Sequence, residues 1–323
     1  MKTKPRDLRI GVLVDGRDGH RAQALALAEA LGRIHPAEIR EEAAPRSALP
    51  AHLSHLMMHI GIGRPRSLFP EGWADLVISA GRRAAPALAA LGQDLSCPVV
   101  QILWPGLPRA AFTRLILPQH DRRPGQGVIE TIGAMGRLTA AQIEEAAAAL
   151  SAPGQTPGPA LGPEPHIAML LGGPSRSAGF DSEGVFAALT GLAGQYPLWI
   201  TPSRRTPQGL AVRLRSALPD AFVWDGMGPN PYPALLHGAR AVLVTADSVN
   251  MASEAASTGT PVHVLQAPKL APKLHRFHES LAAHGAARPF RGTIEQWSYT
   301  PLAEADRVAA LLWKELDLSA RLR

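Results

Sequence analysis

Cysteine is almost absent from this sequence, since Cys97 is the only one in 323 residues. A single thiol excludes an intramolecular disulfide framework and a zinc site built on cysteines. Long apolar runs are also absent, because none approaches the about 20 residues of a membrane-spanning helix. The apolar stretch Leu8–Val14 is too short for the core of a signal peptide. We therefore expect a cytoplasmic protein that either diffuses freely or lies peripheral to the inner membrane.

Aromatic residues and negative net charge are lacking as well. Phe, Trp and Tyr make up 5% of the chain, and its net charge of +6, with a pI near 10.0, is carried mostly by arginine. Positive charge favours anionic partners such as phosphates, nucleotides or the surface of an anionic membrane. The arginines are scattered, and few rings are available for base stacking. The composition therefore argues against nucleic acid as a partner.

Two common phosphate-binding signatures are missing. The chain contains neither the G-x-G-x-x-G fingerprint of dinucleotide-binding folds nor a G-x-x-x-x-G-K-[ST] loop. A first predicted strand, Leu8–Val14, instead leads into the turn Asp15-Gly16-Arg17-Asp18-Gly19-His20. This turn collects a histidine and acidic residues, so His20 and Asp15 are candidates for general-base catalysis. The alternative is a capped turn with surface charges.

Short apolar runs alternate with helical patterns along the chain, which is typical of α/β folds with parallel sheets. The stretch 151–165, SAPGQTPGPALGPEP, is too rich in proline and glycine for a helix or a strand. We therefore predict two Rossmann-like α/β domains, residues 1–150 and 166–323, joined by this linker. The last helix is expected to pack back on the first domain. The two domains are expected to face each other across a cleft.

Histidines stand out at two further places in the first half. His52, His55 and His59 have the spacing of one helical face, but no carboxylate or cysteine joins them at ligand spacing, so we predict no metal site. A plain helix, or a segment that faces an acceptor or touches a membrane, is the stronger interpretation. His120 stands beside Asp121 at the predicted end of a strand and is a third candidate base. The alternative is an ordinary polar turn.

The stretch 241–265, AVLVTADSVNMASEAASTGTPVHVL, predicts a strand, a loop, a short helix and a second strand. Asp247 or Ser248 would cap the helix, and the amides from Ser248 to Asn250 would face a phosphate at its N-terminus. Glu254 lies roughly two turns into the helix, where an acid can accept hydrogen bonds from two sugar hydroxyls. The alternative is a simple connection with a solvated Glu254.

Two other loops of the second half point to the same chemistry. The predicted strand HIAMLLGG ends near Ser175, and the predicted strand PLWITP leads into Ser203, Arg204, Arg205 and Thr206. Adjacent arginines flanked by hydroxyls are typical of sites that bind phosphate oxygens. We predict that these residues bind the ligand together with Asp247, Ser248, Asn250 and Glu254. A solvated basic turn is the alternative.

Several motifs occur in an order that resembles a known family. They are DGRDGHRAQALALAEAL, ISAGRRAAPAL, ETIGAM, LLGGPS, TPSRRTP, NPY and VTADSVNMASEAASTGTPV. Together they resemble the elongated-mitochondria fission family, which is named for a plant mitochondrial fission factor and is widespread in bacteria. Members of that family look like GT-B glycosyltransferases, so the resemblance implies a GT-B fold over nearly the whole chain.

A looser resemblance concerns single segments. SVNMASEAASTGTPV is similar to the donor-site helix of nucleotide-sugar transferases, which implies a diphosphate near Ser248 and ribose hydroxyls on Glu254. The DGH turn is similar to the Gly-Gly-His turn of the transferase that completes the lipid-linked peptidoglycan precursor, with Asp18 in place of one glycine. His263 lies inside a predicted strand, where we expect it to pack and not to catalyse.

These observations leave three functional hypotheses open. The first is a metal-independent glycosyltransferase that uses a nucleoside-diphosphate sugar as substrate, needs no separate cofactor, and acts on an unknown acceptor, for instance a lipid-linked one of the cell envelope. The second is a non-catalytic GT-B-like factor that contacts a partner protein or an anionic membrane. The third is a sugar-nucleotide epimerase on the same fold.

Overall fold

The computed structural model describes residues 6–45, 49–59, 63, 68–150, 165–228 and 230–322. The predicted linker therefore lies outside the described residues, apart from residue 165. The contact pattern divides the chain into two units. The first comprises Met1–Arg137 together with Ala303–Arg323, and the second comprises Leu138–Leu302.

The first unit contains a sheet of six parallel strands, in the order β2-β1-β3-β4-β5-β6. The inner strands are apolar and buried on both faces, as parallel sheets covered by helices require. The polar strand β2 lies at an edge and alternates between half-buried and exposed residues. The strands are β1 Leu8–Val14, β2 Ala37–Ala43, β3 Leu76–Ala80, β4 Val99–Ile102, β5 Arg114–Pro118 and β6 Val128–Thr131.

Three helices of the first unit connect these strands, namely α1 Asp18–Ile34, α2 Ala51–His59 and α3 Ala85–Asp94. Helix α1 begins at Asp18, so Gly19 and His20 belong to its first turn and not to the preceding loop. A row of alanines and leucines on α1 and α3 is fully buried, which allows both helices to lie close to the sheet.

The second unit repeats the architecture with six parallel strands in the order β12-β11-β10-β7-β8-β9. The chain moves outward from β7 to β9 and then returns to the other side of β7, so the strand order reverses between β7 and β10. The strands are β7 Ile167–Leu171, β8 Leu198–Pro202, β9 Phe222–Val223, β10 Ala241–Thr245, β11 Val262–Leu265 and β12 Ala287–Pro289. The helices are α4 Ala140–Leu150, α5 Ser182–Ala193, α6 Gln208–Ala217, α7 Tyr232–Leu236, α8 Val249–Ala256 and α9 Pro272–Ala283. The two parallel sheets confirm the predicted α/β class with two Rossmann-like units.

The units are not divided at residue 150, because α4, which ends at that residue, lies in the second unit, while the last helix of the chain lies in the first. Helix α4 packs against α7 and belongs to the second unit, where Ile143 and Ala147 are buried. The last helix, α10 Glu304–Glu315, packs against α1 in the first unit. Its residues Val308 and Leu312 are fully buried in the core that α1 and the first sheet form. Within the described residues, no helix is both long enough and apolar enough to cross a membrane.

The position of α10 yields a test of stability. Replacing Leu312 by Ala leaves a cavity in the first unit and is expected to lower the free energy of unfolding by about 2–5 kcal/mol. Hydrogen–deuterium exchange should then accelerate in β1 and α1, although they lie at the opposite end of the chain. The matched control is Leu192→Ala on α5, which is equally buried in the second unit. Faster exchange in β7 and β10 upon Leu312→Ala, with β1 and α1 unchanged, would contradict this assignment.

Candidate functional site

Three loops of the second unit meet at the carboxyl edge of its sheet. Because β10, β7 and β8 are neighbours, the residues that follow them lie side by side. Open α/β sheets bind ligands at this edge, where the strand order reverses. The three loops contain most of the predicted ligand-binding residues, and the structure brings them together.

Asp247 is the residue on which the three loops converge. Its side chain is only 1% exposed, and its carboxylate forms an ion pair with Arg205 at 2.6 Å. The same carboxylate accepts hydrogen bonds from the hydroxyl of Thr245 (2.7 Å) and from the amide of Gly173 (3.1 Å). A buried carboxylate requires such partners, because an unpaired charge inside a protein is very costly. Asp247 therefore joins the ends of β7, β8 and β10 and has no oxygen directed at solvent.

The two glycines after β7 make this convergence possible. A Cβ atom on Gly172 would overlap the carboxylate of Asp247, and one on Gly173 would overlap the backbone carbonyl of Arg205. The amide of Gly172 donates to the hydroxyl of Thr245 at 2.8 Å. Glycine is therefore needed at both positions to let the backbones approach closely.

On the loop after β8, two of the predicted phosphate-binding side chains, those of Arg205 and Thr206, bind other groups of the protein. Besides its ion pair with Asp247, Arg205 donates to the carbonyl of Gly173 at 2.8 Å. The hydroxyl of Thr206 lies 2.6 Å from the carbonyl oxygen of Gly172 and accepts a hydrogen bond from the amide of Ser203. Arg204 is exposed at the same edge.

Ser175 has a local structural contact. Its hydroxyl oxygen accepts hydrogen bonds from the amides of Ser177 and Ala178, at 3.2 and 3.1 Å, which shapes the exposed turn after β7. The structure places Ser175 in the loop that leaves the carboxyl edge, yet its hydroxyl is engaged in the turn.

The N-terminus of α8 is arranged to meet an anion. Ser248 is the capping residue, and its hydroxyl oxygen accepts a hydrogen bond from the amide of Met251 at 3.3 Å. The amides of Val249 and Asn250 have no hydrogen-bond partner among the described residues. Unpaired amides and the positive end of the helix dipole favour negative charge at this position. Asp247, the other predicted cap, binds Arg205, Thr245 and Gly173 instead.

Glu254 lies on the same helix and is mostly buried. The hydroxyl of Tyr232 donates a hydrogen bond to its carboxylate at 2.7 Å. Burial raises the pKa of Glu254 more than this hydrogen bond lowers it. Burial, with the nearby Glu254, also raises the pKa of Tyr232, which therefore remains a donor at neutral pH. Glu254 is thus a partly buried carboxylate that Tyr232 orients, and not a fully solvated side chain.

Tyr232 is a candidate site residue that the sequence patterns do not indicate. It lies in the first turn of α7, twenty-two residues before Glu254, and its ring is half-buried. The Asn-Pro-Tyr-Pro turn that contains it was visible in the sequence. Nothing in that turn indicates a contact with α8, because the contact depends on how both helices pack against the sheet.

The first unit contains a second cluster, at the carboxyl end of β1. The Nδ1 atom of His20 lies 2.9 Å from the carboxylate of Asp15, whose side chain is 1% exposed. Asp15 also accepts a hydrogen bond from the amide of Arg17 at 3.1 Å. An ionised Asp15 places the proton on Nδ1, which leaves the lone pair of Nε2 available as a base. Nε2 has no hydrogen-bond partner among the described residues.

Gly81, which follows β3, fixes the position of the His20 ring. A Cβ atom on Gly81 would overlap that ring, and the residue has a φ of +83°, which favours glycine. The imidazole is therefore held between a buried carboxylate and a glycine surface. Such a histidine and carboxylate pair is the usual arrangement of a general base and the group that orients it.

His120 is a different case from His20. It lies in a 3-10 turn after β5 and is only 2% exposed, so the interpretation of His120 as an accessible base is not supported by its position. His263 is packed as expected, since it is buried in β11 against Phe290 and Trp297. In the described part of the chain, no three His, Cys, Asp or Glu residues are grouped as metal ligands.

The raised pKa of Glu254 has a consequence for stability. The folded state favours the protonated carboxyl group, so its contribution is greatest below the pKa of the unfolded chain and is lost as pH rises through the folded pKa. Glu254→Gln does not titrate and keeps an acceptor for Tyr232. We expect the variant to be more stable than the wild type at neutral pH, by on the order of 1 kcal/mol for each unit of pKa shift removed.

This difference should shrink as the pH is lowered toward about 4, the usual pKa of a glutamate. Urea unfolding at a series of pH values measures it. The control is Glu183→Gln, an exposed residue of α5 whose replacement should change stability by less than about 0.5 kcal/mol at any pH. A stability difference for Glu254→Gln that does not vary with pH would disprove the assignment.

Comparison with solved structures shows the fold. The glycotransferase of kitacinnamycin superposes with a TM-score of 0.52 at 16% identity, over 98% of this chain and 94% of that one. A UDP-GlcNAc 2-epimerase from Neisseria meningitidis, bound to UDP-GlcNAc, gives 0.50 at 13% identity over the same shares. These neighbours are GT-B proteins, so the chain has a GT-B-like fold.

Comparison with sequences shows the family. "Uncharacterized protein RP120" of Rickettsia prowazekii (strain Madrid E) is 29% identical over 94% of this chain and 98% of its own length. The "Mitochondrial fission protein ELM1" of Arabidopsis thaliana is 31% identical over 68% of this chain and 58% of its own length. The family described as mitochondrial fission ELM1 matches residues 18–316. The chain therefore belongs to the mitochondrial fission ELM1 family and has the GT-B-like fold that its sequence motifs imply.

Proposed function

We propose that the protein is a metal-independent glycosyltransferase that uses a nucleoside-diphosphate sugar. The observation that carries the proposal is Glu254, a buried carboxylate oriented by Tyr232 on the helix whose N-terminus has unpaired amides. A structural role alone does not account for a carboxylate at this position, because burial disfavours its charged form. Two sugar hydroxyls would donate to Glu254 the hydrogen bonds that an exposed carboxylate receives from water.

The spacing on α8 fits a nucleotide. Glu254 lies five positions after Val249, which corresponds to about 7–8 Å along a helix. A diphosphate at the amides of Val249 and Asn250 would thus lie about one ribose length from the carboxylate. Ser248 closes the helix end without adding negative charge, as its hydroxyl accepts from Met251.

The charge of the departing nucleoside diphosphate would be stabilised by fixed groups. Arg205 neutralises Asp247, so that the buried carboxylate does not repel a phosphate at the same edge. Arg204 and the dipole of α8 then supply net positive potential. Preorganised donors of this kind stabilise developing negative charge without reorganisation during the reaction.

In this proposal His20 deprotonates the acceptor hydroxyl. Asp15 holds the ring by Nδ1 and stabilises the imidazolium that forms when Nε2 takes the proton. The acceptor oxygen then attacks the anomeric carbon of the sugar, the bond from that carbon to the phosphate oxygen breaks, and the nucleoside diphosphate leaves with the bond electrons.

Donor binding tests the first half of the proposal. Calorimetric titration with UDP, GDP, CDP, ADP and TDP should reveal binding of at least one nucleotide by the wild type. Glu254→Ala should bind that nucleotide about 10–100-fold more weakly, because a hydrogen bond to a charged group contributes about 1.5–3 kcal/mol.

The control is Glu183→Ala, which removes an exposed carboxylate of the same unit and should bind as the wild type does. Equal affinity of Glu254→Ala and the wild type would disprove the donor site. If no nucleotide binds at all, the non-catalytic hypothesis is favoured. Conversion of the donor sugar without an acceptor would identify an epimerase instead.

Turnover tests the role of His20. His20→Ala should bind the nucleotide as the wild type does and lower the rate of nucleoside diphosphate release from the cognate donor by about 10²–10⁴-fold, the range for general-base catalysis. Release can be followed with a coupled assay that detects the free nucleotide, with water as the acceptor where no other is known.

The matched control is His237→Ala, because His237 is exposed in the second unit and is assigned no role. Asp15→Asn should also lower the rate, since it removes the charge that stabilises the imidazolium. A His20→Ala variant that turns over as fast as the wild type would exclude His20 as the base.

A further inference from the structure

A cavity of about 840 Å³ opens in the first unit beside the His20 and Asp15 pair. Its volume is in the range of small-molecule sites. Asp15 and Gly16 line it after β1, and Arg82 and Arg83 line it after β3. Because β1 and β3 are neighbours, these residues meet at the carboxyl edge of the first sheet.

Two guanidinium groups dominate the charge of this cavity. Arg82 and Arg83 are both exposed, and neither has a hydrogen-bond or ion-pair partner among the described residues. Other arginines of the same unit do have partners, as Arg6 and Arg21 each bind a carboxylate through two nitrogens. Two adjacent, unpaired guanidiniums in a cavity are suited to bind an anion with several oxygens, above all a phosphate.

Two backbone features adjoin this pair of arginines. The side chain of Arg82 lies against Gly106, where a Cβ atom would be 3.5 Å from its Nε. Helix α3 begins directly after the arginines, and no side chain caps its N-terminus. Its positive dipole end therefore adds to the charge of both guanidiniums.

The negative charge of Asp15 does not cancel this potential. Its carboxylate is almost completely covered, and its two oxygens bind His20 and the amide of Arg17. The other walls include the apolar residues Leu49, Ala51 and Pro86. The cavity thus has a cationic wall and an apolar wall, and its lining includes Asp15, the carboxylate that holds His20.

We propose that this cavity binds the acceptor substrate, and that Arg82 and Arg83 hold a phosphate group of that acceptor. The inference rests on the proposed glycosyltransferase function and assigns it a substrate class: a phosphate ester with an apolar body and a hydroxyl that reaches His20. Such a phosphate belongs either to a soluble ester or to a lipid headgroup.

Binding of phosphate probes to the full chain tests the proposal. Glycerol 3-phosphate represents a soluble ester, and phosphatidylcholine vesicles containing phosphatidic acid represent a lipid headgroup. The wild type should bind at least one probe saturably, and the double variant Arg82→Gln, Arg83→Gln should bind it at least about tenfold more weakly. The same variant should keep the nucleotide affinity of the wild type, since the donor residues lie in the other unit.

Two further variants distinguish a specific phosphate site from attraction by net charge and from the donor site. Arg21→Gln, Arg40→Gln removes the same charge from the surface of the first unit and should bind the probes as the wild type does. Glu254→Ala should lose nucleotide binding and keep probe binding. If no variant or wild type binds a nucleotide while probe binding still depends on Arg82 and Arg83, the donor proposal fails and the phosphate site stands.

Three outcomes would overturn the site. The first is equal probe binding by the Arg82 and Arg83 double variant and the wild type. The second is an equal loss in the Arg21 and Arg40 control, which would show attraction by net charge alone. The third is the absence of binding to both probes by a folded wild type. Binding of glycerol 3-phosphate alone would identify a soluble ester as the acceptor, and binding of the vesicles alone a lipid headgroup.

Discussion

A carboxylate that is buried must be paired, and this constraint shapes the carboxyl edge of both sheets. Asp247 and Asp15 each follow an inner strand, and each side chain is 1% exposed. The cost of leaving either unpaired exceeds the contribution of most single contacts. The loops around each aspartate are therefore held to positions that supply donors: Arg205, Thr245 and Gly173 for Asp247, and His20 and Arg17 for Asp15.

At the edge of the second sheet, this constraint determines which polar groups are bound within the protein. Arg205 and Thr206 would both serve as phosphate ligands if judged by residue type alone, yet their polar atoms are bound within the protein. The amides of Val249 and Asn250, by contrast, have no hydrogen-bond partner among the described residues. In the first unit, Arg82 and Arg83 have no hydrogen-bond or ion-pair partner among the described residues, whereas Arg6 and Arg21 form ion pairs.

Local patterns predicted the elements well and the contacts between them poorly. Buried strands such as β1, β3 and β10 are continuous apolar runs, so their positions could be read from the sequence. The polar edge strand β2 and the three-residue strand β12 carry no such signal, because edge strands need only one covered face. The unit to which α4 belongs depends on which apolar face the helix meets, and that is a property of the folded chain.

The candidate site shows the same limit. The helix start at Ser248 and the acid at Glu254 follow from local spacing, since capping and helical periodicity act over a few residues. The contact between Tyr232 and Glu254, and that between Arg205 and Asp247, joins residues that are distant in sequence. The burial of His120 is a similar effect, because it is set by the whole unit and not by the Pro-Gln-His-Asp turn.

Glu254 differs from the two aspartates in a way that bears on function. Asp15 and Asp247 are each bound by several donors, whereas the structure gives the carboxylate of Glu254 one hydrogen bond, from Tyr232, and burial still raises its pKa. A carboxylate in that position lowers stability at neutral pH relative to a neutral residue of the same shape. Groups whose pKa is shifted by burial are concentrated at functional sites. Ligand hydroxyls that donate further hydrogen bonds to Glu254 would remove this loss of stability. The burial of Glu254 is therefore better explained by a role in binding than by a structural role.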